Sequence, residues 1–235
     1  MAENRFTLRT AQMTGAQASA AQVDEGLRTY MLKVYNYMSI ALGLTGVVAY
    51  TSSTSQSLMS AIYGTPLQWV VMLAPLGLVF FLSAKISTMK AQTAQMVFWV
   101  YAGLMGLSLS YIFMVYTGAS ITRVFFITSG AFAGLSLYGY TTKRDLSGMK
   151  SFLVMGVIGL MIAMVVNIFL ESSAMQFVIS VLGVLIFAGL TAYDTQQIKS
   201  IYMKSDGSDT HEKKAIMGAL RLYLDFLNMF LFMLH

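Results

Sequence analysis

The sequence contains no cysteine, two histidines, two prolines and few charged residues. Without cysteine the chain can form neither a disulfide nor a thiolate site, and two histidines are too few for an ordinary zinc or haem centre. Charged side chains make up only 11% of the residues, against about 25% in soluble domains. Hydrophobic residues make up 57%, and the mean hydropathy is +0.66. These values exclude an ordinary soluble domain and predict a polytopic membrane protein.

Sequence signatures of enzymes are also missing. There is no HExxH motif, no phosphate-binding loop and no convincing Ser-His-Asp set, and we therefore do not expect an enzyme or a resident cofactor. The Gly-x-Gly-Asp motif of intramembrane aspartyl proteases is absent around both Asp194 and Asp225. The net charge of +5 comes from basic residues scattered through short loops, a distribution that argues against a nucleic-acid partner.

The first 29 residues are polar and rich in alanine, glutamine and threonine, with no apolar core of a signal peptide. We expect residues 1–29 to form a flexible tail, either without function or acting as a partner-binding arm. Residues 30–235 then form an all-α transmembrane domain.

Seven apolar stretches are long enough to cross a hydrocarbon layer of about 30 Å, which takes about 20 helical residues. The third and fourth are divided only by a tight Thr-Gly turn. The predicted spans are Val34–Tyr50, Leu67–Ala84, Gln95–Tyr116, Ser120–Tyr140, Ser151–Leu170, Met175–Thr195 and Ala215–His235.

Most lysines and arginines lie in the N-terminal tail and in the loops after the second, fourth and sixth spans. The positive-inside rule then places the N-terminus in the cytoplasm and the C-terminus outside. An even number of spans would break this alternation, so the charge pattern supports seven spans independently of hydropathy.

Small residues recur about one helical turn apart and predict close helix packing in lipid, although ordinary membrane-helix glycine is an equally good reading of each pair. The pairs are Gly43 and Gly46, Gly103 and Gly106, Gly130 and Gly134, and Gly156 and Gly159.

The last span carries a carboxylate, Asp225, in the middle of an apolar helix. An ionisable group inside a membrane is costly unless it is paired. The best candidate partner is Asp194, near the end of the sixth span. The two depths match only if the sixth helix continues through Gln196, Gln197 and Ile198. We expect this continuation because Ile198 and Ile201 keep an apolar face at helical spacing.

Two carboxyl groups held together in a low dielectric cannot both ionise cheaply, so we expect Asp194 and Asp225 to share one proton and to act as a pH sensor or gate. The shared proton would tie the two helices together, whereas losing it brings repulsion and gaining a second removes the ionic character of the bond. Once deprotonated, the same oxygens suit a hard cation such as Ca²⁺, as a permeant or regulatory ion.

A competing interpretation leaves the two aspartates apart, with Asp194 solvated at the interface and Asp225 paired with Arg221 one turn away. Lys85 is a further candidate counter-ion, or it snorkels to the interface. Polar side chains that either hydrogen-bond around the site or join helices elsewhere are Asn167, Tyr193, Tyr223 and Asn228.

The segments FAGLTAYDTQQIK, LYLDFLNMF and SLYGYTTKRDLSGM resemble the bacterial branch of the Bax inhibitor-1, or transmembrane BAX inhibitor motif, family. The resemblance runs from about Leu27 to the end of the chain. It implies a last helix at the centre of two three-helix layers, and a proton-sensitive aspartate pair, here Asp194 and Asp225, that gates a calcium leak in the bacterial inner membrane. Some bacterial relatives are instead modulators of a membrane protease.

Two features depart from the family pattern. Arg221 stands where a neutral residue is expected, which changes the electrostatics of the aspartate pair. The chain also stops at His235 without the usual basic tail, which suggests a shortened chain or the loss of a closing plug at the outer end.

The leading functional hypothesis is therefore a pH-sensitive calcium (cation) leak channel or slow transporter in contact with lipid, calcium and protons. The alternative is a non-conducting membrane protein that modulates a membrane protease or a stress response.

Overall fold

The computed structural model describes residues 25–235 in full and residues 2–24 only as backbone of the first helix. The predicted tail, residues 1–29, lies almost wholly outside residues 25–235 and remains a prediction. The helices are α1 (Ala2–Ser53), α2 (Gln56–Tyr63), α3 (Leu67–Lys85), α4 (Ala91–Leu109), α5 (Ile112–Val115), α6 (Gly118–Thr141), α7 (Lys150–Leu170), α8 (Ser173–Ser200) and α9 (Ser208–Leu234).

Seven helical segments of the described chain are long and apolar enough to cross a membrane, as the sequence predicts. The third segment is α4 continued by the short helix α5. The predicted Thr-Gly turn then separates it from α6, where the side chain of Thr117 accepts a hydrogen bond from the main chain of Ser120 and caps the new helix. The seven segments are Glu25–Ser53, Leu67–Lys85, Ala91–Val115, Gly118–Thr141, Ser147–Leu170, Ser173–Ser200 and Ser208–Leu234.

The helices form two layers of three around α9. In one layer α4 packs between α3 and α1, and in the other α8 packs between α7 and α6. The central helix α9 contacts α1, α4, α6 and α8. The most apolar window of α9 is 61% buried, whereas no other span exceeds 39%. The predicted central position of the last helix is confirmed.

Only two of the eight paired glycines make close contacts. A Cβ added to Gly106 would lie 2.7 Å from the carbonyl oxygen of Thr45, and one added to Gly156 would touch a side chain of α8. The closest approach to a main-chain atom is at a glycine outside the predicted pairs, Gly139, where a Cβ would lie 2.2 Å from the carbonyl oxygen of Ala192. The packing prediction is wrong for the other six because spacing does not show which face meets a neighbour. Those six are Gly43, Gly46, Gly103, Gly130, Gly134 and Gly159.

We call the membrane face that carries the start of α1 and the loops after α3, α6 and α8 the N-terminal face. Side chains there hold the start of α9 in place. Glu212 accepts hydrogen bonds from both Lys33 and Tyr37 of α1. Asp209 accepts a hydrogen bond of 3.0 Å from the main-chain nitrogen of Ala91 and so caps α4. The first turns of α9 are thus tied to two helices of one layer. The cytoplasmic assignment of this face remains a prediction from the loop charges.

Candidate functional site

The site lies where α8 and α9 run antiparallel next to each other. The predicted continuation of the sixth helix is confirmed, since α8 extends to Ser200. Gly218 of α9 packs against Ile198 of α8, which sets the two helices in register. Along α8, Asp194 lies four residues from this contact, a rise of about 6 Å. Along α9, Asp225 lies seven residues from it in the same direction across the membrane, a rise of about 10 Å. The two side chains can span this difference in depth.

The carboxyl groups of Asp194 and Asp225 are in hydrogen-bonding contact. A hydrogen bond between two carboxyl groups requires a proton on one of them, because an ionised carboxylate only accepts. Asp225 is 4% exposed, and the side chain of Asp194 is 15% exposed. Within residues 25–235 the Oδ2 atom of Asp225 has no hydrogen-bond partner. The structure therefore brings together the two carboxyl groups that the sequence singles out.

Arg221 belongs to the same cluster but pairs with the other aspartate. Its Nη1 atom lies 3.7 Å from Oδ1 of Asp194. The competing interpretation, in which Arg221 neutralises Asp225 and water solvates Asp194, is therefore wrong in its pairing. Because α8 packs directly on α9, the guanidinium reaches across to the neighbouring helix instead of along its own. More than half of the Arg221 side chain is exposed, so the pair is open to solvent at the N-terminal face.

Lys150, the first residue of α7, is a second cation whose charge acts on Asp194. The sequence did not single it out. It is one of the basic residues in the loop after α6, and only the packing of α7 on α8 brings it near the pair. Lys85 is not a counter-ion among the described residues. It is exposed at the end of α3, a helix that packs mainly on α4 and α2.

The four polar candidates divide by position. Tyr193 is close enough for the charges of Asp194 and Arg221 to act on it, although its ring packs with Leu146 and Leu153. Asn228 lies one turn beyond Asp225 and donates to a carbonyl of its own helix at 2.8 Å.

The other two candidates lie away from the pair. The hydroxyl of Tyr223 forms a hydrogen bond of 2.7 Å with Thr45 of α1, on the side of α9 that faces the other layer. Asn167 accepts a hydrogen bond from the main chain of Ser172 in the α7–α8 turn, at the opposite membrane face. Spacing along a helix could not distinguish these faces before the neighbouring helices were placed.

The cluster can hold three charge states. With one shared proton the charges of the two carboxyl groups and of Arg221 sum to zero. Loss of that proton gives a net charge of −1, and a second proton gives +1. Since charge inside a membrane protein is costly, the single-proton state is the favoured one for these three groups. The charge of Lys150 acts on Asp194 in addition, from the start of α7.

Two carboxyl groups are an incomplete cage for a metal ion. Across the fully described part of the chain no group of three His, Cys, Asp or Glu residues is placed to hold one. Calcium takes six to eight oxygen ligands, whereas Asp194 and Asp225 supply at most four. A calcium ion here would therefore keep water or main-chain oxygens in its shell, as suits a passing ion better than a resident one.

Comparison with known proteins places these residues in a family. Residues 27–235 match the family described as "Inhibitor of apoptosis-promoting Bax1". An uncharacterized protein of Rickettsia prowazekii is 51% identical over 211 residues, which cover 90% of this chain and 89% of that protein. The Inner membrane protein YbhL of Escherichia coli K12 is 45% identical over 219 residues, covering 92% of this chain and 94% of YbhL. An uncharacterized protein of Caulobacter vibrioides is 44% identical over 241 residues, covering 98% and 96% of the two chains.

The match extends over the whole described domain, including α8, α9 and the aspartate pair. The family is one of membrane proteins and not of enzymes. The chain is therefore a multi-pass inner-membrane protein that belongs to the Bax inhibitor-1 family.

Proposed function

We propose that this protein is a pH-sensitive calcium (cation) leak channel or slow transporter, in which the shared proton of Asp194 and Asp225 latches α8 to α9. The observation that carries the proposal is the hydrogen-bonding contact between these two carboxyl groups, which joins the central helix α9 to its neighbour α8. The resemblance to proton-gated calcium leaks supports the choice of ion.

The latch works through the charge states of the pair. With one proton the carboxyl groups form a charge-assisted hydrogen bond, which is stronger than a neutral one. Loss of the proton leaves two anions in contact and drives α8 and α9 apart. A second proton leaves a weaker neutral hydrogen bond beside the uncompensated charge of Arg221. Departure from the single-proton state in either direction therefore loosens the contact between the central helix and its neighbour.

Calcium flux into sealed proteoliposomes tests the proposal. The wild-type protein is compared with Asp194→Asn, Asp225→Asn and the double variant across a range of pH. We expect flux through the wild type to vary with pH, with a minimum where one proton is shared, and flux through the double variant to lose this dependence. Glu25→Gln is the matched control, because Glu25 is an exposed carboxylate at the same membrane face and should behave as wild type. Equal flux in all variants, or none in any, contradicts the proposal.

A non-conducting protein that modulates a membrane protease or a stress response is the second candidate. The ion pair between Arg221 and Asp194 favours it, because a tethered cation already neutralises the site without a passing ion. Absence of flux at every pH, together with co-purification of a membrane protease that the double asparagine variant loses, would support this function.

A further inference from the structure

A deep groove opens towards the membrane between α1 and α6, at the edge where the two layers face each other. It has a volume of about 960 Å³. We call it the α1–α6 groove: its walls are α1 from Arg28 to Val47 and α6 from Phe125 to Tyr140, and Phe226 of α9 forms its floor. Large apolar side chains along both walls are exposed, including Val47 at 63%. The groove is therefore accessible from the bilayer.

Small residues widen the groove on the α1 side. Gly43 and Gly46 both line the groove, and a Cβ added to either would meet no atom within 4 Å. These glycines consequently do not serve helix packing within the chain. The space that they leave is available to a molecule from outside.

The two ends of the groove differ in charge. Arg28 lines the end at the N-terminal face, where its side chain is 69% exposed and its Nη1 atom lies 3.8 Å from Glu25. A second cation is close by, because the ammonium group of Lys199 lies 4.8 Å from the ring centre of Tyr140, another lining residue. No charged residue lines the rest of the described groove. A groove that is basic at one end and apolar along the rest of its length complements a ligand with an anionic head group and a hydrocarbon chain.

The dimensions agree with a lipid of one leaflet. Fifteen residues separate Arg28 from Gly43, a rise of about 22 Å along α1. Half of a bilayer, head group included, is about 20–22 Å thick.

We propose that the α1–α6 groove binds an anionic phospholipid of the leaflet at the N-terminal face. The head group lies at Arg28, with Lys199 contributing charge, and an acyl chain runs past Gly43 towards Gly46. At the floor the chain contacts Phe226, the residue that follows Asp225. Lipid in this groove thus touches the central helix directly beside the aspartate pair.

Native mass spectrometry of the full-length protein in detergent tests this site. The protein is titrated with phosphatidylglycerol or with phosphatidylcholine of the same acyl chains, and the retained lipid is measured. One basic residue near the head group corresponds to about a fivefold preference for the anionic lipid. We expect Arg28→Gln to remove most of this preference, and Gly43→Leu combined with Gly46→Leu to lower retention of both lipids.

Two variants serve as matched controls and should retain lipid as the wild type does. Lys90→Gln removes an exposed cation from the same membrane face, and Gly159→Leu adds bulk at an exposed helix glycine with equally open surroundings. Arg28→Gln changes an exposed side chain and stays informative even if the double leucine variant is unstable. Equal retention of the two lipids by the wild type overturns the proposal. An unchanged preference for the anionic lipid in Arg28→Gln also overturns it. So does a double leucine variant that retains both lipids as the wild type does but no longer forms a dimer.

Discussion

Removal of Arg221 should shift the pH dependence of calcium flux. Its guanidinium lies 3.7 Å from Asp194, and at that separation two unit charges attract by about 4 kcal/mol at an effective dielectric constant of 20. The Arg221 side chain is 54% exposed, so solvent screens most of this energy and about 1 kcal/mol is a realistic net value. That energy corresponds to about 0.7 pH units.

The sign follows from the charge. Arg221 favours the ionised form of Asp194, so a neutral residue at position 221 makes protonation easier. The flux minimum of Arg221→Gln should therefore lie about 0.7 pH units above that of the wild type, whereas Arg221→Lys, which keeps the charge, should move it less.

The assay is calcium uptake into proteoliposomes containing an entrapped calcium indicator, at intervals from about pH 5 to pH 8. Salt gives an independent check, because an exposed cation is screened at high ionic strength. The difference between wild type and Arg221→Gln should shrink as salt is raised. An unchanged minimum in Arg221→Gln, a shift to lower pH, or the same shift in Arg221→Lys would refute the electrostatic role assigned to this side chain.

Three further predictions concern stability and are measured as melting temperatures in detergent. Gly139→Ala pushes a methyl group against the α8 backbone and should destabilise by about 1–3 kcal/mol, whereas Gly134→Ala, in open surroundings on the same helix, should not. Thr45→Val leaves the buried hydroxyl of Tyr223 without its 2.7 Å partner and should cost about 1–3 kcal/mol; no loss of stability would mean that the bond is not formed. The main-chain N–H of Ser147 donates to Asp145 and holds the pKa of that carboxyl below its ordinary value. The stabilising effect of this hydrogen bond is therefore present above the pKa of Asp145 in the unfolded chain and is lost as the pH falls through its pKa in the folded protein. The melting-temperature difference between wild type and Asp145→Asn should shrink in acid. A difference that grows in acid would contradict this assignment.

Much of the architecture could be predicted from residue order because a bilayer imposes simple rules on a chain. Each span must be long, apolar and helical to satisfy its main-chain hydrogen bonds, so hydropathy alone located all seven spans, and the Thr-Gly turn between the third and fourth. A carboxylate in an apolar helix must find a partner, and Asp225 with Asp194 was the pair that this rule indicated.

What the sequence could not determine is which helix faces which. Tyr223 lies only two residues from Asp225, yet it bonds to α1 while Asp225 contacts α8, because successive residues on a helix point about 100° apart. The same uncertainty explains why Gly139, and not the glycine pairs, makes the tightest approach to a neighbouring backbone, and why Arg221 pairs across to Asp194.

The sequence by itself determined the membrane class, the number of spans and the two acids that had to be accommodated, since these depend on composition and on the cost of charge in lipid. Only the packing of seven helices decided the partner of Arg221, the approach of Lys150 and the groove left between α1 and α6. These features depend on distances between residues far apart in the chain, and such distances exist only once the helices are assembled.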